Sequence, residues 1–233
     1  DLYQEARDAF RHLVALEPRG GAAYAFLGLC EYQLREYDRA MEHLEMAPKL
    51  GLGGNEQLLR VTRYRLALLQ TRFEQYERAL RLLFALAKAQ GEDPTLIETL
   101  GIANLGMPYL PTELPPDRRE LVVKAGRAAF YMAVNRLDEA QREYQELLAR
   151  YPDSPGVHYS YGVFLLNDDP DRALGEFRRE LEISRSHLRA RLQIAFEYIR
   201  RAEYSAGLPF AEESARLNPK SFAAHNALGR ILL

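Results

Sequence analysis

Apolar and polar positions repeat with a helical period through residues 155–181, PGVHYSYGVFLLNDDPDRALGEFRREL. In the first half of this stretch, spacings of three, one and three residues place on one helical face His158, Tyr161, Gly162 and Leu165. In the second half, Ala173 and Phe177 lie one turn apart. The pattern predicts two short helices joined by a turn, with the small Gly162 and Ala173 where the helices cross. Such a pair cannot enclose its own core and must stack on neighbours.

The second-helix part of this pattern recurs along the chain. Its small residue appears at successive intervals of 34, 39, 61, 33 and 34 residues, at Ala6, Ala40, Ala79, Ala140, Ala173 and Gly207. These residues resemble the tetratricopeptide repeat, whose period is about 34 residues and which carries an aromatic residue, Leu-Gly and Tyr in helix A and Ala, Phe and a closing Pro in helix B. The resemblance implies an all-α fold, a right-handed superhelical solenoid of about six stacked helix-turn-helix repeats.

The same resemblance divides residues 1–233, as a single solenoid, into successive segments. Residues 2–18 match a helix B without its helix A, and residues 222–233 match a helix A without its helix B. Repeats are expected at 21–52, 55–91, 118–152, 155–185 and 188–219, with an irregular half-repeat and a proline-rich loop at 94–117. Because the end repeats of a solenoid usually carry a polar cap, we expect the native protein to continue beyond these ends or to pack on something there.

The loop at residues 107–117 interrupts the pattern. A helix B is excluded here by four prolines, Pro108, Pro111, Pro115 and Pro116. Since residues 118–134 lead into the Ala140 helix as an A leads into a B, they should run parallel to the preceding helix. About eleven extended residues span roughly 35 Å, more than the roughly 18 Å of a twelve-residue helix. The loop can therefore replace the missing helix, with Tyr109, Leu110 and Leu114 as apolar anchors.

Composition excludes several classes of function. The net charge is −2, with 31 basic and 33 acidic residues, so the basic surplus of a nucleic-acid-binding protein is absent. No apolar run reaches the roughly 18 residues of a membrane span, and the N-terminus has no signal-peptide pattern. A soluble protein is expected, and both the cytoplasm and the periplasm fit. Arginine greatly outnumbers lysine, which suggests a bacterial genome.

Candidate chemistry is sparse, and each case has a structural explanation. The five histidines include no pair four residues apart, so packing roles are expected rather than metal ligation. The Gly51, Gly53 and Gly54 cluster lacks the strand and Lys-Ser/Thr of a phosphate loop. The acidic turn at 167–171 is interrupted by Pro170 and is better explained as the start of a helix B than as a calcium loop. Cys30 is expected to be a buried, inert thiol. The sequence therefore predicts no catalytic, cofactor or metal site and no enzyme.

The resemblance implies an interaction module in which stacked A helices line a concave groove that receives a protein or peptide. One subset of the family binds acidic C-terminal tails through Lys, Asn and Arg in helix A, but here the inward positions are apolar, which argues against that carboxylate clamp. The predicted groove residues are Leu29, Tyr32, Tyr64, Leu68, Ile102, Met132, Tyr159, Val163, Leu166, Phe196 and Ile199.

Two functions follow from this groove. The first is a non-catalytic scaffold that binds an apolar or amphipathic segment of a partner, with Tyr159, Val163 and Phe196 as central anchors. The second is a structural spacer or assembly module of a longer chain, whose groove is filled internally by the 107–117 loop. The apolar positions also fit a purely structural role, since A helices pack on adjacent repeats.

Overall fold

The fold consists of α-helices. A computed structural model describes residues 2–233, and within that range it contains thirteen helices, two short 3-10 turns and no strand. The helices are α1 Leu2–Leu16, α2 Gly21–Gln33, α3 Tyr37–Leu50, α4 Glu56–Arg72, α5 Tyr76–Gln90, α6 Pro94–Asn104, α7 Arg119–Ala133, α8 Leu137–Arg150, α9 Val157–Leu165, α10 Pro170–Ile183, α11 Leu188–Arg200, α12 Tyr204–Leu217 and α13 Phe222–Leu232. They form two compact units, one ending at Ala140 and the other beginning at Gln141, so that the boundary lies within α8.

The same type of tight turn joins the two helices in each of four hairpins, α2–α3, α4–α5, α7–α8 and α11–α12. Its central residue has a left-handed backbone with φ between 56° and 61° in each case, at Arg35, Glu74, Asn135 and Ala202. The next residue's amide donates to the carbonyl five positions back, as from Glu36 to Glu31. This is the bond pattern that closes a helix by a left-handed residue. The fold is thus all-α and built from repeated helix hairpins, as the sequence predicts.

Close helix crossings depend on glycine in two hairpins, the α2–α3 hairpin and the α9–α10 hairpin. A Cβ added at Gly28 on α2 would lie 2.8 Å from Leu44 Cγ on α3, and one added at Gly162 on α9 would lie 2.6 Å from Phe177 Cε1 on α10. Both distances are shorter than any normal carbon contact, so only glycine fits without a shift. The predicted close approach at Gly162 is therefore confirmed.

The same turn begins after α6, but no helix B follows. Gly106 has φ 68°, and the Met107 amide donates to the Ile102 carbonyl, as in the four hairpins. The prolines then force the chain into two 3-10 turns, Pro111–Glu113 and Pro116–Arg118. The interruption therefore arises at the prolines and not at the turn.

Helices α6 and α7 run in the same direction. Glu98 pairs with Arg119 at 3.2 Å, and Asn104 donates to the Ala125 carbonyl at 3.3 Å, so residues later in α6 meet residues later in α7. At their crossing, a Cβ on Gly101 would lie 1.9 Å from the Val122 carbonyl oxygen. The parallel arrangement expected from the sequence is thus present, and it brings backbone directly against backbone.

The proline-rich loop is fixed at its start. Arg72, at the end of α4, donates to the Pro108 carbonyl at 3.2 Å and approaches the Glu113 carboxylate at 3.6 Å. Leu110 and Leu114 are buried, which confirms them as anchors. Tyr109 is 37% exposed, so the expectation that it also anchors the loop is wrong. Its ring remains at the surface beside the buried Leu110.

Candidate functional site

The eleven predicted groove residues divide into two groups by exposure. Four are buried in the helix packing: Leu68, Ile102, Tyr159 and Ile199. Seven keep part of their surface open to solvent: Leu29, Tyr32, Tyr64, Met132, Val163, Leu166 and Phe196. Only the second group can contact a ligand without moving the helices.

Tyr159, predicted as a central anchor, lies in the core of the second unit and is 3% exposed. Its ring lies 5.8 Å from that of Phe177 and 5.0 Å from that of His187, and the Arg189 guanidinium covers it at 4.3 Å. These neighbours come from the helix that follows α9 and from the start of the next one. The expectation that Tyr159 faces a ligand is therefore wrong, because the side chains after it close over the ring.

Near Tyr159, Glu180 is a fully buried carboxylate that caps α9. It accepts hydrogen bonds from the amides of Gly156 at 2.8 Å and Tyr159 at 3.1 Å. Burial raises the pKa of Glu180, and these two bonds only partly oppose that rise. The carboxylate replaces the side-chain cap that Gly156 cannot provide, so its role is structural.

His158 has a similar structural role. Its ring contacts the Glu176 carboxylate at 2.5 Å and the Pro152 carbonyl at 2.9 Å. Burial lowers the pKa of His158, but these two partners outweigh burial and raise it above its usual value. The packing role predicted for this histidine agrees with these contacts.

The first unit contains an open cleft between α4, α6 and the turn that joins α5 to α6. Its volume is about 560 Å³, within the range of ligand pockets. One wall is a single face of α4, and the other wall comes from the turn and the start of α6. The lining residues are Gln57, Arg60, Val61, Tyr64, Arg65, Gln90, Glu92, Asp93, Thr95 and Leu96. Val61 is 41% exposed, so it leaves apolar surface open on the α4 wall of the cleft.

Arg65, which lines this cleft, stacks on two tyrosines. Its guanidinium carbon lies 4.8 Å from the ring centre of Tyr32 on α2 and 5.8 Å from that of Tyr64. The Tyr64 hydroxyl forms a hydrogen bond with Thr99 on α6 at 3.0 Å. Burial raises the pKa of both tyrosines, so both remain neutral at physiological pH. The stack joins two predicted groove residues, Tyr32 and Tyr64, to the cleft.

The arginines of α4 were not identified from the sequence as site residues. Within residues 2–233, no carboxylate lies within 4.0 Å of Arg60, Arg63 or Arg65. Elsewhere arginine commonly pairs with acid, as Arg200 and Arg201 do with Glu197. A signal was present, because α4 holds four arginines and one glutamate. A pattern of apolar positions does not predict an arginine-rich helix face, because it excludes charged residues.

The other candidate chemistry has structural explanations. Cys30 is buried, and burial raises the pKa of its thiol, as expected of an inert cysteine. The Asp169 carboxylate accepts from the Arg172 amide and caps α10, which confirms the acidic turn as a helix start. Across the described residues, no group of three or more His, Cys, Asp or Glu is arranged to hold a metal. None of the helices in that range is long and apolar enough to cross a membrane.

The chain is similar to several solved structures at low sequence identity. The chain is similar to the solved structure of YrrB, described as a TPR protein with an unusual peptide-binding site, at 16% identity over 95% of this chain and 98% of that one, with a TM-score of 0.40. A tetratricopeptide repeat protein from Parabacteroides merdae gives 14% identity over 99% and 93%, with a TM-score of 0.49. The TPR2AB domain of yeast Sti1, solved as a complex with pHSP90, gives 15% identity over 99% and 92%, with a TM-score of 0.43.

The comparison of sequences establishes the family. No curated protein sequence gives a significant match. The family model described as the tetratricopeptide repeat matches residues 1–53 and 124–187, together half of the chain. These ranges hold the Gly28 and Gly162 hairpins, whose close crossings carry the small-residue pattern of the repeat. The chain therefore belongs to the tetratricopeptide repeat family, and its fold is a helical repeat solenoid.

Proposed function

We propose that this chain is a protein-interaction scaffold that binds an apolar or amphipathic segment of a partner protein, without catalysis. The observation that carries the proposal is the open cleft of the first unit, with exposed Val61 on its wall and the Arg65 stack beside it. A half-exposed apolar side chain in a concave site gives a partner apolar surface to bury. The neighbouring polar groups can orient that partner.

A second surface of the same kind lies in the second unit. Val163 and Leu166 are partly exposed at the end of α9, and Phe196 is partly exposed on α11. Phe196 also packs against a buried cluster that includes Ala195 and Ile199. This surface offers apolar contact but less free area, because part of the Phe196 ring contributes to the core.

The spacer hypothesis requires the 107–117 loop to fill the groove. Leu110 and Leu114 are buried as that hypothesis expects, but no residue of the loop lines the α4–α6 cleft. The loop is instead held at the opposite end of α4, through Arg72. This placement favours the scaffold over the spacer.

The proposal can be tested by selecting peptides from a random displayed library on the immobilised chain. We expect enriched peptides with apolar residues, whose binding falls in Val61→Asn. Met46→Asn is the matched control, because Met46 is 39% exposed but lies on α3, away from the cleft. Circular dichroism should be unchanged in both variants. No enrichment above the bare support, or equal loss in both variants, would contradict the proposal.

A further inference from the structure

The surroundings of Arg65 favour the binding of an anion. Its guanidinium lies over the rings of Tyr32 and Tyr64, and these contacts restrict its rotation. A planar guanidinium directs its five N–H donors from its edge, in the geometry that matches a carboxylate. A hydrogen bond to the Tyr32 hydroxyl engages part of this edge. Since no carboxylate of residues 2–233 lies within 4.0 Å of Arg65, the remaining donors are available to a carboxylate from outside.

On one side of the cleft, the surrounding charges also favour binding of an anion. Arg60 lies one turn before Tyr64 on the same wall and also has no ion-pair partner in the described part of the chain. On the other wall, the Asp93 carboxylate accepts from the Leu96 amide at 2.9 Å and caps α6, and Glu92 is exposed. The α4 wall is therefore basic and the turn wall is acidic, so a bound segment has a preferred orientation.

Apolar surface lies directly beside the basic groups. Val61 is one helical turn before Arg65, and both line the cleft together with Tyr64. A ligand carboxylate on Arg65 would therefore bring the neighbouring ligand side chain against Val61. The site therefore offers a ligand one charged contact and one apolar contact side by side.

Building on the proposed function, we propose that the α4–α6 cleft recognises an internal acidic side chain next to an apolar one in a partner's peptide segment. The carboxylate binds the edge of Arg65, with Arg60 adding positive charge, and the apolar side chain covers Val61. This recognition needs no free C-terminal carboxylate. It differs from the apolar groove predicted from the sequence because the specificity comes from α4 arginines.

The test is fluorescence anisotropy with synthetic, C-terminally amidated peptides that carry a Leu-Glu core, compared with the same peptides carrying Leu-Gln or Leu-Lys. We expect the Glu peptide to bind at least about tenfold more tightly than the Gln peptide, since hydrogen bonds to a charged group exceed neutral ones by about that factor. The difference should shrink as salt is raised, because the arginines are near the surface. It should vanish in Arg65→Gln.

Arg81→Gln is the matched control, because Arg81 is exposed on α5 and likewise has no ion-pair partner in residues 2–233. It should keep the preference for Glu. Equal affinity for Glu and Gln peptides, a preference that survives Arg65→Gln, or a strict need for a free C-terminus would each overturn this inference. If binding still falls in Val61→Asn, the scaffold function remains. If the amidated peptides fail to bind but their free-acid forms or library peptides bind, only this inference fails, and if none of these peptides binds, both proposals fail.

Discussion

Tyr64 and Tyr159 occupy equivalent positions in two repeats, yet they have opposite environments. Tyr64 lines an open cleft, whereas Tyr159 is 3% exposed under Phe177, His187 and Arg189. Each ring has an arginine against it, but from different places in the chain. Arg65 comes from the same helix as Tyr64, while Arg189 comes from the helix that follows the hairpin of Tyr159.

In these two repeats, the exposure of the groove position depends on the side chains that follow it in the chain, including those of the next helix A. Opposite Tyr64, α6 presents Thr95 and Thr99, whose small side chains leave the cleft open. Opposite Tyr159, the start of α11 presents a ring and a guanidinium, which fill the same space. Equivalent residues of a repeat therefore line an open cleft in one unit and pack into the core in the other.

The largest expected effect is on stability, at the two tyrosines. Tyr159→Ala should lower the free energy of unfolding by about 3 to 5 kcal/mol, as for other buried aromatic residues. Tyr64→Ala should cost only about 1 to 2 kcal/mol, because the ring is partly exposed and loses one hydrogen bond. Urea unfolding of both variants measures the difference. Equal losses would remove the contrast between the two environments.

The second effect concerns the crossing that holds Phe177 over Tyr159. Gly162→Leu should cost on the order of 1 to 3 kcal/mol, because its side chain must displace Phe177. Gly229→Leu is the matched control, since a Cβ there meets nothing within 4 Å. The urea unfolding midpoint of Gly229→Leu should stay the same or rise slightly, because leucine has a higher helix propensity than glycine. An unchanged midpoint in Gly162→Leu would contradict the close crossing.

The third effect compares the two surfaces in binding. In Val61→Asn, affinity for a selected peptide should fall at least about tenfold, or about 1.4 kcal/mol, because the cleft loses its exposed apolar contact. Val163→Asn in the second unit should change affinity less than about threefold. Isothermal titration with the same peptide measures both. The reverse order would assign the main binding surface to α9 and α11.

The smallest effect is a dependence of stability on pH in the second unit. The pKa values of Glu180 and His158 are both raised in the folded state, so the fold binds their protons more tightly than the unfolded chain. The Glu180 contribution is present below about pH 4.5 and is lost as pH rises through its folded pKa. The His158 contribution is present below about pH 6.5 and is lost above its folded pKa.

Between pH 6 and 8, the His158 contribution should therefore decrease, by less than about 1 kcal/mol once solvent screening is counted. Thermal melts across this range should show a flatter profile in His158→Asn. His225→Asn is the control, because the His225 ring also contacts a carbonyl, that of Pro219, but no carboxylate in the part of the chain described. A profile that flattens equally in both variants would exclude His158 as the source.

Sequence reasoning identified the hairpins because their signals are local. Small residues such as Gly162 at helix crossings and the prolines after α6 act within one or two turns of the chain. The candidate site was harder to predict, since the burial of Tyr159 depends on His187 and Arg189, which lie in another segment. The Arg65 stack likewise depends on Tyr32 of another helix. A helical period reports which face a residue shares, but not what covers that face.

Hydrogen exchange measured by mass spectrometry, with and without a selected peptide, tests most directly whether the α4–α6 cleft is the main binding surface. We expect slower exchange on peptide binding in residues 56–72 and 90–104, which contain the cleft walls and Arg65. Residues 157–166 and 188–200 should change less. Protection confined to those second-unit segments, with none in α4 and α6, would contradict it.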